Sequence, residues 1–173
     1  MAVGLVEGGE GWLRLHRLLV YFGRQEELDP DAKPAVARTL IRCGEEAGEG
    51  NLTGSAVAAV TPHVVYAAGT MSDGTDDEPL AAELCTAAGR ALQHAGDLRG
   101  ARPWLQQAVA IWDGLGDPED HRAATSLLAL GRLLEDQGEL ASARPLLERA
   151  LAIRERALGP KHPDTAMSPG LLT

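Results

Sequence analysis

Five histidines, two cysteines, a short acidic run and a recurring arginine are the residues of this chain most able to do chemistry. A metal or catalytic centre needs His, Cys and carboxylates that converge. His16, His63, His94, His121 and His162 share no i, i+4 spacing that would set two on one helix face. Cys43 and Cys85 are far apart and belong to no CxxC or Cys/His cluster, so no zinc site is indicated. Two cysteines this far apart and outside any motif fit a reducing, cytoplasmic setting. Asp73, Asp76, Asp77 and Glu78 lack the strict alternation and distal Glu of a calcium loop and read as a solvated loop. Gly8-Gly9-Glu10-Gly11 reads as a turn, since no GxGxxG leads into a helix, and no GxSxG marks a nucleophile. The expectation is no catalytic residue, no metal, no cofactor and no enzyme activity.

The arginine is different, because it repeats. Residues 96–111, GDLRGARPWLQQAVAI, overlay residues 138–153, GELASARPLLERALAI, at an offset of 42. The match runs upstream without a gap, so that Gly89-Arg90 falls on Gly131-Arg132 and Leu92 on Leu134. Over residues 81–118, sixteen of thirty-eight positions equal their partners 42 later, and a period in this range marks stacked structural repeats. Two arginines at one place in successive units could grip a carboxylate or an acidic peptide bidentately. The alternative is a local pair, Arg132 with Asp136 four residues on.

Helices must position these residues. Aromatics make up only 3% of the chain while Ala and Leu abound, which favours close-packed helices over a sandwich or barrel. In residues 118–159, helix A is predicted over Ser126–Asp136, with Leu127, Leu130 and Leu134 inside, and Gly138 as its stop. Helix B is predicted over Leu140–Leu158, with Leu140, Ala143, Leu147, Ala150, Leu151 and Ile153 on its apolar side. Ala143 and Ala150, like Ala101 and Ala108 before them, are small where the helices approach. Pro145 sits early in helix B and leaves its start open by a few residues. Trp104 replaces Leu146 and is expected at least partly buried. Trp112 replaces Arg154 and is either exposed or covers the cap.

Upstream, residues 31–47 carry Ala35, Val36, Leu40 and Ile41 at helical spacing. Residues 53–68 form a second helical stretch that Pro62 kinks or restarts. Residues 69–78 read as a solvated loop and the best domain boundary. Trp12 to Leu18 partly alternates apolar and basic residues, as a half-buried strand with Leu5-Val6 as hairpin partner would, although Leu18 to Phe22 could equally begin a helix.

The pattern of Leu127, Leu130-Gly131, Leu134, Gly138, Ala143, Leu147 and Ala150 resembles the tetratricopeptide repeat. The string ALAIRERALGPKHPDTA and the 42-residue period are similar to its kinesin-light-chain-like subclass. The resemblance implies an all-α solenoid of units 79–117 and 118–159, with a truncated third unit at 160–173 that Pro169-Gly170 interrupts. Residues 29–78 would be a helical linker or cap. Residues 1–28, through LRLHRLL, resemble the winged-helix remnant of bacterial NB-ARC (STAND-type) regulators, whose C-terminal sensors often carry such repeats. No GxxxxGK[ST] is present, so no NTP hydrolysis carries over. In such arrays this side of helix A lines a concave groove, which places Thr86, Arg90, Gln93, His94, Leu128, Arg132, Glu135 and Asp136 on it. The implied function is to hold a peptide or protein; the alternative is a sensor piece of an NB-ARC-type regulator. A net charge of −9 without a basic run argues against nucleic acid and anionic membranes, and no apolar run approaches the ~20 residues of a membrane span. An open last unit would leave an apolar face for self-association.

Overall fold

The computed structural model describes residues 32–48, 54–72, 77–117, 120–159 and 162. By its contacts the chain divides into two compact bodies, Met1–Val36 and Ala37–Thr173, the second of which holds both repeat units. The hairpin and winged-helix readings of residues 1–28, and the interrupted unit from Pro163 on, lie outside the described residues. Every described element is a helix: α1 Ala32–Gly48, α2 Gly54–Ser72, α3 Glu78–His94, α4 Leu98–Leu115, α5 His121–Asp136 and α6 Leu140–Leu158.

The glycine turns end helices α3 and α5 in the same way. At the end of α3, Gly96 takes φ +84° and donates to Gln93 O, while Asp97 N donates to Leu92 O. Gly138 takes φ +79°, with Gly138 N on Glu135 O and Glu139 N on Leu134 O. This pair of bonds closes the last turn and needs a left-handed residue, which glycine adopts without a Cβ penalty. Asp97 then caps α4 by accepting from Gly100 N at 2.8 Å. Glu139, its repeat counterpart, makes no cap bond to α6. Its longer side chain reaches back to Arg102 at the start of α4 instead, at 2.6 and 3.0 Å.

Helices α3 and α5 form the inner layer. Ten residues of each are buried, against four in α4 and four in α6, because an inner helix is flanked on more than one side. Gly131 makes the α5–α6 approach possible: a Cβ there would overlap the Leu147 side chain, and one at Gly89 would overlap Leu105. The second unit's core gathers Leu127, Leu130, Leu134, Ala143, Leu147, Ala150 and Ile153, together with Ala101 and Leu105 from the first.

Several expectations are corrected. Helix α5 starts at His121, five residues before Ser126, because Asp120 caps it by accepting from Arg122 N at 2.9 Å and Ala123 is buried beside Trp112. The expected loop 69–78 is narrower, since α2 continues to Ser72 and α3 opens at Glu78. Pro62 does not start a new segment, since α2 runs through it. The carbonyl its missing N–H leaves unpaired belongs to Ala58, which is exposed to solvent as Pro62 is. Pro103 and Pro145 each occupy the sixth position of their helix, past the first turn, and are likewise exposed. Leu140 is not on the apolar side of α6; it is 64% exposed. Trp112 is neither exposed nor lying over a cap. It is buried between Ala82 and Ala123.

Candidate interaction site

Three helices, α1, α3 and α5, line one cleft of about 250 Å³. Ile41 and Glu45 come from α1, Glu83, Thr86, Ala87 and Arg90 from α3, and His121, Arg122, Thr125 and Ser126 from α5. These helices can come close because Gly44 of α1 abuts Ala87 of α3, where a Cβ would sit 2.8 Å from the Ala87 Cβ.

A buried polar chain lies beneath the cleft. Trp112 Nε1 donates to Ser126 Oγ at 3.0 Å, and Ser126 Oγ meets Thr86 Oγ1 at 2.6 Å. Thr86 spends its only proton on Ala82 O at 2.9 Å. The hydroxyl proton between the two side chains therefore belongs to Ser126. The chain runs Trp112 to Ser126 to Thr86 to Ala82, one donor per acceptor, and joins α4, α5 and α3. Among the described residues no buried side-chain nitrogen or oxygen lacks a partner.

The rim is charged. Arg122 bonds Asp120 at 2.7 Å and Glu83 at 2.8 Å, and its guanidinium lies 5.0 Å from the centre of the Trp112 ring. The Arg122 hydrogen bond holds the Asp120 carboxyl below the usual carboxylate range. The same contact raises the Arg122 guanidinium further above its ordinary value, so it stays charged. Both cysteines are buried and neither is in a disulfide, and burial pushes the Cys43 thiol up, away from the nucleophilic thiolate.

The eight residues expected in the groove separate. Thr86 and Arg90 line the cleft. Leu128 is buried in the second unit's core. Gln93 and Asp136 meet near the other ends of α3 and α5, with Gln93 Nε2 donating to Asp136 Oδ2 at 2.7 Å. Asp136 is thereby engaged across the units and makes no ion pair with Arg132, which is exposed. His94 is exposed and Glu135 half-buried, and neither lines the cleft. Sequence reasoning missed Glu83, Arg122 and Ser126. The signals were present: Ser126 interrupts an apolar stripe where the preceding unit has Leu84, and Asp-His-Arg at 120–122 has the form of a helix cap with its own cation.

Residues 82–156 match the family profile described as tetratricopeptide repeat. This segment is a tetratricopeptide repeat array. The structure is similar to the nearly identical TPR-like repeats described for a kinesin light chain of Podosopora anserina. The TM-score is 0.66 at 22% identity, covering 78% of this chain and 63% of that one. A single-residue variant of those repeats gives 0.68 at 20% identity, covering 82% and 64%. BtubC (BKLC) from P. vanneervenii gives 0.67 at 16% identity, covering 91% and 58%. The chain thus spans less than two thirds of the length of these solved structures. At such identities the common feature is the fold. No curated protein matches the chain significantly. Among the described residues no helix of this tetratricopeptide array is long and apolar enough to cross a membrane.

Proposed function

We propose that the chain is a protein-interaction scaffold that holds a peptide or protein segment against helices α1, α3 and α5. The observation that carries this reading is the shared cleft. Three helices contribute to it, both charge signs stand on its rim, and Ile41 and Ala87 supply apolar contact. Such a surface suits an extended segment with an apolar anchor and flanking polar groups, which a repeat array recognises along its helices. Arg90 belongs to this cleft, and Arg132 extends the same helix-A position one unit further.

The test is selection of binding peptides from a random library displayed against the full chain. Thr125→Trp places bulk in the cleft from a half-buried position, and Arg90→Ala with Arg132→Ala removes the recurring cations. Selected peptides are expected to lose about tenfold or more in affinity for either variant, as when a buried anchor pocket is lost. Equal binding to wild type and both variants would show the groove reading to be wrong.

The resemblance of residues 1–28 to the winged-helix remnant of NB-ARC-type regulators supports a second reading, a sensor module of such a regulator. It would use the same face. A coding region for a P-loop NTPase in the same reading frame immediately upstream favours it; an unrelated neighbour counts against it.

A further inference from the structure

Helix α6 carries a stripe on its outer side: Leu140, Arg144, Glu148, Leu151, Glu155 and Leu158. Steps of three and four residues keep all six on one face. None of them is buried; Leu140 is 64% exposed and the Arg144 side chain 72%.

One unit earlier, four of the six corresponding positions form a stacking surface. Leu98 and Val109, counterparts of Leu140 and Leu151, pack against the second unit's core. Arg102, counterpart of Arg144, is clamped to Gln137 and Glu139 of the second unit. Asp113, counterpart of Glu155, receives Arg149 of α6 at 2.5 Å. Arg144 has folded back onto Glu148 of its own helix at 2.7 Å. The apolar and charged positions of a stacking surface are thus kept on α6, while its arginine turns to a substitute partner.

The stripe is also self-complementary. Laid antiparallel on a copy of itself, it sets Arg144 against Glu155, Leu151 against Glu148, and Leu140 beside Leu158 at each end. A parallel copy would set Arg144 against Arg144 and Glu155 against Glu155, which repels. We propose that α6 pairs antiparallel with α6 of a second copy. The result is a two-fold dimer in which Arg144 of each chain leaves Glu148 for Glu155 of the other. One helix pair buries less than a standard interface, so the dimer exchanges with monomer. No cleft residue belongs to α6, so both clefts stay available in the dimer.

Sedimentation velocity on the full chain, from roughly 1 to 500 µM, tests this in the range where small interfaces exchange. The expected result is a concentration-dependent shift from monomer to dimer. Arg144→Glu and Glu155→Arg alter solvent-exposed side chains, so each variant should keep its helical circular dichroism. Each alone should weaken the dimer about tenfold or more, the scale of charge coupling across interfaces. An equimolar mixture of the two should recover it, because the mixed pair regains an opposite-charge contact at both ends. A monomer at every concentration overturns the proposal and leaves the face to another segment or protein. A dimer indifferent to both substitutions, or a mixture that does not recover, places the contact elsewhere and overturns it as well.

Discussion

At the scale of the residue, Ser126 does the most with the least. It is 1% exposed, and its single hydroxyl both accepts from Trp112 and donates to Thr86. Ser126→Ala leaves a buried indole N–H without an acceptor and Thr86 without its donor. A loss of about 1–3 kcal/mol in urea unfolding is expected, since an orphaned buried donor costs its full desolvation. The same substitution in a Trp112→Phe background should cost clearly less, because the orphaned donor is gone. Asp120 gives a pH signature. Its folded pKa is lowered by Arg122, so its contribution is present above the unfolded value and is lost as pH falls through the folded one. Wild type should therefore lose urea stability below about pH 4 more steeply than Asp120→Asn, which keeps a capping oxygen but does not titrate. Parallel pH profiles would remove Asp120 from the account.

At the scale of the element, the helices were legible because their signals are local. Gly96 and Gly138 stop helices by a backbone requirement that no neighbour has to supply. Helix α6 falls on its expected bounds, Leu140–Leu158, because its periodic apolar residues and terminal glycine agree. The start of α5 was less legible, since Asp120 and the small residues Ala123 and Ala124 give a faint apolar signal until Trp112 is seen against Ala123. Gly131 is an element-scale constraint: it permits the close crossing of α5 and α6. Gly131→Ala should cost about 1–3 kcal/mol through overlap with Leu147, despite the better helix propensity of alanine. Pairing it with Leu147→Ala should give a total smaller than the sum of the two single losses, read from chemical unfolding curves. Additive losses would mean the two side chains do not meet.

At the scale of the whole molecule, polar contacts couple the units. Arg102 to Glu139, Arg149 to Asp113, Arg122 to Glu83 and Gln93 to Asp136 each cross from the first unit to the second. In a stacked array, stability is roughly the sum of unit terms and nearest-neighbour terms. Arg102→Ala removes one neighbour term while leaving the cores of both units in place. Native-state hydrogen exchange should then show α5 and α6 opening more readily than α3, where wild type protects them more evenly. An exchange pattern unchanged by Arg102→Ala would assign the coupling to the apolar contacts alone.

The division between sequence and tertiary structure follows from the range of the forces involved. Period, helix type, turn glycines and the small alanines were readable from the chain, because backbone geometry and 42-residue self-similarity are properties of the string itself. The resemblance to the tetratricopeptide pattern rested on those same local features. The cleft was only half readable. Thr86 and Arg90 were picked out, but Glu83, Arg122 and Ser126 acquire their roles from partners 39 and 40 residues away. Which way Arg132 and Asp136 turned was equally undecided, since a local i, i+4 pair and a cross-unit bond to Gln93 satisfy the same carboxylate. Repetition along the string announced that units would stack; only the stacked units could fix which polar side chains were consumed in holding each other and which were left exposed.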